Sequence, residues 1–382
     1  MAEPKRKWWQ IILGIIIVLN IFLWATGRLY LYKALIYNYV NIDDLNLFYT
    51  RQVTASNGVP WPNGKDFNAK SLAPELRNAL ETYESVAFLV IKDDSIRYEE
   101  YWDSYGPGSL SNSFSMAKSI VSILVGIAVD EGKISSLDQS VCKYLPEFCS
   151  PENERLTVRH LLMMSSGLNW DEGYTSLFGQ VTRSYYDSNL KSQMLGLKVV
   201  DEPGKEWNYM SANTQLLAFI VEKATGMSSS EYASQKLWIP IQAEKNAQWS
   251  LDQKEGSEKA FCCFYSNARD FARIGKLFLQ KGKWNGKQVV SEAYVNAAIS
   301  PAPITENGTP VSIYGYQWWL TNSRNKNVFY ARGILGQYIF VIPDLNIIFV
   351  RLGHKRGEKG TDGQLLDVPV YIDQVLKMYG NL

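Results

Sequence analysis

Histidine is almost missing from this chain: His160 and His354 are the only two in 382 residues, and there are only four cysteines. A zinc site draws three or four ligands mainly from those two types, so a metal centre has little to be built from. A surplus of either charge is missing as well. The 39 lysines and arginines face 38 acids, a net charge of +1, which leaves no basic footprint for nucleic acid. No internal repeat is visible, which removes the usual signature of a scaffold. What is present is 46% apolar residues, enough to build a core in one large domain or two ordinary ones.

There is one long hydrophobic run, "WWQIILGIIIVLNIFLWA", from Trp8 to Ala25. As a helix it spans about 27 Å, close to the hydrocarbon thickness of a bilayer. It reads as an uncleaved membrane anchor, with a cleaved secretory signal as the rival, although "ATG" at Ala25–Gly27 matches a cleavage site poorly. Lys5, Arg6 and Lys7 before it outweigh Arg28 and Lys33 after it, so the expected orientation puts everything beyond residue 40 outside the cytoplasm, on a periplasmic or extracellular face. Tyr30, Tyr32, Tyr37 and Tyr39 fit an aromatic belt at the outer interface. Export would permit disulfides. Cys142 and Cys149 bracket "KYLPEF" and are either one bridge or two buried thiols, while Cys262 and Cys263 read as lining a core strand or helix.

The expected organisation is therefore a membrane anchor over 1–40, a linker or irregular lead-in over 41–75, and a single domain over 76–382. Within that domain, Val86–Trp102 reads as a hairpin around Asp93 and Asp94, and short strands recur from Tyr314 to Gly353 before a last helix. Helices ending at Gly132, Gly167, Gly226 and Gly282 fill the middle. Strands at both ends and helices between them predict an α+β fold whose antiparallel sheet joins the first and last segments.

The stretch "NSFSMAKSIVSILVGIAVDEGK" places Ser115 three residues before Lys118, at the head of a helix that is apolar nearly all round. Such a helix runs through a core, and three residues make about one turn, so the two side chains share a face. Burial disfavours the ammonium form of a lysine and makes an amine available to take a serine proton. Backbone N–H groups at the helix start suit an oxyanion. The plainer reading is that Ser115 caps the helix while Lys118 reaches solvent. Ser188–Lys191 and Ser323–Lys326 have the same spacing in polar surroundings, where a lysine stays solvated. Further on, Tyr209, Ser211 and Asn213 crowd the entrance of another helix, either as a proton relay or as a packed tyrosine with an N-cap.

With "SFSMAKS" (Ser113–Ser119), "LTVRHLLMMSSGLNWDE" (Leu156–Glu172), "PGKEWNYMSANTQLL" (Pro203–Leu217), "YGYQWW" (Tyr314–Trp319) and "ARGILGQYIFVIPD" (Ala331–Asp344) taken in order, the chain resembles the serine β-lactamase and penicillin-binding-protein superfamily. The likeness is to its class C-like branch, and within that to 6-aminohexanoate-dimer hydrolases and related esterases, over roughly residues 98–352. It implies a β-lactamase-like fold, Ser115 as acylated nucleophile, Lys118 as its base and Tyr209 as the third member of the relay. It also implies a backbone N–H on the Gly333–Ile334 strand as oxyanion donor, with Ile334 the choice. Ser211 and Asn213 occupy the neighbourhood of the family's Tyr-x-Asn element, with the asparagine four residues after the tyrosine instead of two. The family's cationic strand residue is replaced within Arg332–Gln337, which argues against efficient penicillin or D-alanyl peptide cleavage.

Trp170, Asp171, Glu172 and Tyr174 read as a substrate-side wall or an exposed loop. His354 reads as a group reaching the site or a surface histidine, and His160 as structural. The expected protein is a membrane-anchored serine hydrolase cleaving a small-molecule amide, ester or peptide through an acyl-enzyme, with no metal or organic cofactor implied. The alternatives are a catalytically silent binding or sensor module, or a D-alanyl peptidase or β-lactamase acting on cell-wall-like substrates.

Overall fold

The computed structural model describes residues 4–56, 58–360 and 364–380. Its frame is a six-stranded antiparallel sheet in the order Trp319–Ser323, Lys326–Gly333, Gln337–Ile342, Ile347–Gly353, Ser85–Lys92, Ser95–Tyr101. A late meander thus closes onto an early hairpin, with Phe349 opposite Val90 and Val350 opposite Leu89. This is the α+β arrangement that strands at both ends of the domain predict.

Period-two alternation along the sheet sets the layers. Ile339, Val341 and Ile348 face the helix Ala268–Leu279, where a Cβ on Gly275 would lie about 3 Å from their methyl groups. Glycine there lets the helix rest directly on the sheet. Tyr338 points the other way, its hydroxyl 2.9 Å from Asp367 Oδ2 in the helix Asp367–Tyr379. The helix Met116–Asp130 is buried on nearly every side and packs against both the sheet and the helix Ser211–Thr225. A helix that is hydrophobic all round has no stable place except between layers.

A second sheet has four short strands, ordered Thr50–Val53, Ala247–Ser250, Phe264–Ser266, Ser111–Asn112. Part of the 41–75 stretch, expected as linker or irregular lead-in, is therefore an edge strand, with Thr50 opposite Ser250. The turn residues that mark a linker begin only after it, at Asn57.

At the other end, one helix among the described residues is long and apolar enough to cross a membrane: within Pro4–Ala25, the window Trp8–Ala25 has mean hydropathy 2.1 and is exposed apart from Leu23. The short helix Tyr30–Tyr37 that follows packs on Gln180–Tyr186 and buries Tyr30, Leu31 and Ala34. The four tyrosines expected as a belt are thus divided, Tyr30 inward and Tyr32, Tyr37 and Tyr39 exposed. Cys142 and Cys149 form a disulfide. Cys262 and Cys263, expected within a core strand or helix, are bonded to each other in a turn, with Cys263 at a φ of 67°.

Candidate active site

Ser115 stands where the second sheet hands over to the central helix. Ser113 N–H donates to Phe264 O at 2.8 Å, which pins the chain to the sheet. Phe114 then takes a φ of 43°, unusual for a residue with a side chain, and its N–H donates to Asn112 Oδ1 at 2.9 Å. This sharp turn delivers Ser115 to the helix N-cap, where its hydroxyl makes no capping hydrogen bond. Capping, the plainer role for this serine, is not what the hydroxyl does.

Lys118 is 1% exposed, so it does not reach solvent. Its Nζ lies 3.1 Å from Ser115 Oγ, 3.1 Å from Ser211 Oγ and 2.8 Å from the Phe261 carbonyl oxygen. None of these three partners is a carboxylate. Ser211 is in turn bound to Glu172, its Oγ 2.6 Å from Oε1 and its backbone N–H 2.6 Å from Oε2. Trp170 Nε1 and the Tyr174 hydroxyl donate to the same carboxylate, at 2.6 and 2.5 Å. Glu172 thus collects four donors, and fixed hydrogen bonding of this kind holds a carboxylate in one orientation.

Tyr209 meets Lys118 through its ring, whose centroid is 5.1 Å from Nζ. It belongs to an aromatic wall with Trp207, Tyr314 and Trp319, the Tyr209–Tyr314 pair meeting edge to face at 6.2 Å. The hydroxyl nearest the amine on this segment is Ser211, two residues after Tyr209. Asn213, expected beside it, is fully buried with Nδ2 3.3 Å from Met164 Sδ and lines no cavity at Ser115. Two residues apart on a helix means opposite faces, so Ser211 and Asn213 cannot both look into the site.

Gly333 ends the strand next to Ser115. A Cβ there would lie 2.3 Å from the Ser113 carbonyl oxygen, so only glycine permits this approach, which sets the Ile334 backbone beside the serine. Arg332 stacks on Trp319 with its guanidinium 3.5 Å from the ring centroid and lines the same space.

Two further expectations fail. Trp170 is buried behind Glu172 and serves as its hydrogen-bond donor; the wall itself is Glu172 and Tyr174. His354 does not reach the site: its Nδ1 is 2.7 Å from Asn41 Oδ1 and its N–H donates to Glu84 O, so it ties down the lead-in. The cation that arrives is Arg356, two residues on. His160 is structural, its Nδ1 accepting from Thr157 N–H in a capping box, and burial holds its imidazole below the usual range. Two cavities meet at Ser115. One, about 540 Å³, is lined by Glu172, Tyr209, Trp319, Arg332 and Lys359; the other, about 520 Å³, is mostly apolar.

A serine at a cavity floor and a buried lysine on one helix turn, set against an antiparallel sheet strand, define a serine-hydrolase fold of the β-lactamase type. Residues 76–367 match the Beta-lactamase family, and the chain belongs to it. It is 30% identical over 327 residues to the 6-aminohexanoate-dimer hydrolase of Paenarthrobacter ureafaciens, covering 79% of this chain and 82% of that enzyme. Among solved structures, a Bacillus anthracis protein assigned as a 6-aminohexanoate-dimer hydrolase superposes with a TM-score of 0.77 at 21% identity, over 89% of this chain and 92% of that one. A family VIII carboxylesterase gives 0.62 at 16%, over 82% and 99%. At those identities the two structures speak for the fold alone. The chain is a serine hydrolase of the β-lactamase and penicillin-binding-protein superfamily.

Proposed function

We propose that this protein is a membrane-anchored serine hydrolase that cleaves an ester or amide through a covalent acyl-enzyme on Ser115. The observation that carries the reading is the buried amine of Lys118, 3.1 Å from the Ser115 hydroxyl, with neutral partners on its other sides.

With the Lys118 amine neutral, the proton inventory at the site leaves its lone pair for Ser115; as an ammonium it would donate to all three oxygens. The Ser211 hydroxyl gives its hydrogen to Glu172, so toward Lys118 it can only accept, and the Phe261 carbonyl can only accept. A neutral amine has two N–H donors and one lone pair. With both donors taken by Ser211 and Phe261, the lone pair is left for the Ser115 O–H. Ser115 Oγ then attacks the substrate carbonyl carbon as its proton moves to Lys118. The backbone N–H groups of Ser115 and Ile334 hold the oxyanion. The C–O or C–N bond breaks, and the proton passes from Lys118 to the leaving group on the side where Tyr209 stands. Water then attacks the acyl carbon, gives its proton to Lys118, and the acid departs as Ser115 regains its hydrogen.

The exposed apolar helix at Trp8–Ala25 supports anchoring, with 41–75 leading into the hydrolase domain outside the cytoplasm. Turnover of p-nitrophenyl esters and p-nitroanilides by the purified full chain, compared with Ser115→Ala, tests the reading. It stands if release of nitrophenol or nitroaniline depends on Ser115, and falls if the variant is as active as the wild type or neither is active.

A further inference from the structure

We infer that the apolar cavity at Ser115 is an acyl-chain site that takes the fatty-acyl part of a lipid ester or amide from the membrane in which the protein is anchored. The inference rests on the acyl-enzyme reading and adds the substrate class.

The two cavities share Ser115, Tyr174, Ile334 and Arg356, so a substrate carbonyl at Ser115 has one space on each side. Their linings differ in chemistry. Tyr209 and the charged groups Arg332, Lys359, Glu172 and Glu306 all belong to one. A leaving group must depart where proton donors stand and where its new charge or polarity is solvated, which assigns the polar cavity to it. The acyl part is left with the other, whose walls include Phe114, Leu177, Val181, Phe261 and Leu335. About 520 Å³ of largely apolar space is a ligand-sized volume. Water is a poor occupant for it, and a hydrocarbon chain a favourable one.

The position of that cavity names the source of the chain. Ala34, Asn38, Tyr39 and Val40 form part of its wall, and they belong to the short helix Tyr30–Tyr37 and the residues just after it. That helix follows the hydrophobic Trp8–Ala25 span within five residues, so the cavity mouth lies at the level where the chain leaves a bilayer. Tyr39 in that wall is 84% exposed, and Leu35 and Ile36 on the same short helix are 62% and 73% exposed. An exposed apolar rim of this kind, continuous with a membrane-length helix, fits acyl chains and interfacial headgroups better than water. A lipid can therefore pass its chain from the bilayer to Ser115 along one apolar surface, while its polar part enters the cavity beside Tyr209 and Arg332.

The test uses the full chain in phosphatidylcholine vesicles. Along a p-nitrophenyl series from acetate through octanoate to laurate, kcat/KM rises by up to about fourfold per methylene until the cavity is full. Ala34→Trp and Leu177→Trp, which fill it from two sides, cut the laurate-to-acetate ratio by about tenfold or more. Dilauroyl phosphatidylglycerol in the same vesicles releases laurate. A flat series, or a ratio that neither tryptophan changes, overturns the acyl site; cleavage of the dissolved esters without release from the vesicle lipid overturns the membrane source. Laurate binding to the Ser115→Ala protein, followed by calorimetry, separates this inference from the catalytic reading. Binding that both tryptophans abolish supports the acyl site even where no variant turns over an ester, and no binding removes it.

Discussion

Ser211 Oγ lies 3.1 Å from the Nζ of Lys118, the same separation that Ser115 Oγ keeps on the other side of the amine. The two hydroxyls have different jobs, because Glu172 takes the hydrogen of one and leaves the other free to give its own. Ser211 is thus a positioning residue, steering the Lys118 lone pair. Ser211→Ala removes one acceptor and leaves a buried donor unpaired, a loss of about 1–3 kcal/mol. The expected result is a fall of about tenfold to hundredfold in kcat with little change in KM, measured on a p-nitrophenyl ester. A change in KM alone would make Ser211 a substrate contact instead.

Gly333 is predicted to tolerate no side chain. In Gly333→Ala the new Cβ would sit 2.3 Å from the Ser113 carbonyl oxygen, against backbone that cannot swing aside. Relief of that clash moves the Ile334 N–H away from Ser115. Losing one oxyanion donor costs about a hundredfold or more in kcat. Steady-state kinetics with circular dichroism checks it, and the fold is expected to persist with a lower Tm.

Acid groups away from the site predict a pH dependence of stability. Burial, and then the neighbouring Glu258 carboxylate, push Glu222 from 4.5 up to about 8. Glu258 is itself buried and paired with Arg51 at 2.7 Å. A carboxyl whose folded value is raised binds more protons folded than unfolded between those two values. This contribution to stability is full below the unfolded value and is lost as pH rises through the folded one. Tm is therefore expected to fall from about pH 5 to about pH 8, and Glu222→Gln to flatten that slope. An unchanged slope in the variant would remove Glu222 as its source.

The Cys142–Cys149 bridge closes a short loop, its ends seven positions apart in sequence. Loop-closure entropy for so small a ring is worth about 2 kcal/mol. Cys142→Ser with Cys149→Ser should lower Tm by several degrees and leave kcat/KM near its starting value, since neither residue lines a cavity at Ser115. Loss of activity at constant Tm would contradict that assignment.

What could be read from the sequence was what short-range geometry decides. Ser115 and Lys118 are one helical turn apart, and the apolar residues after them force burial, so their pairing needed no knowledge of the rest of the chain. The hairpin at Asp93–Asp94 and the final strands were equally visible from alternation. The site's remaining partners come from distant positions and left no local signal. Phe261 contributes a backbone carbonyl, which any residue type supplies. Glu172 lies in a segment that stood out, yet its aim at Ser211 depends on how two loops pack. His354 is misplaced for the same reason, since its partner Asn41 lies at the other end of the chain; Trp170 bonds within its own loop to Glu172, and what local sequence does not show is that its ring is buried behind that carboxylate. Asn213 could have been excluded, because helical geometry already turns it away from Ser211.

The central claim is that Lys118 activates Ser115 to take an acyl group, and it is tested most directly by acid-quenching the full chain during turnover of p-nitrophenyl octanoate and mapping the protein by peptide mass spectrometry. An octanoyl increment on the peptide carrying Ser115 in the wild type, and none on a folded Lys118→Ala protein, is the predicted result. An increment on another residue, no increment at all during turnover, or acylation of the Lys118→Ala protein at the wild-type rate would contradict it.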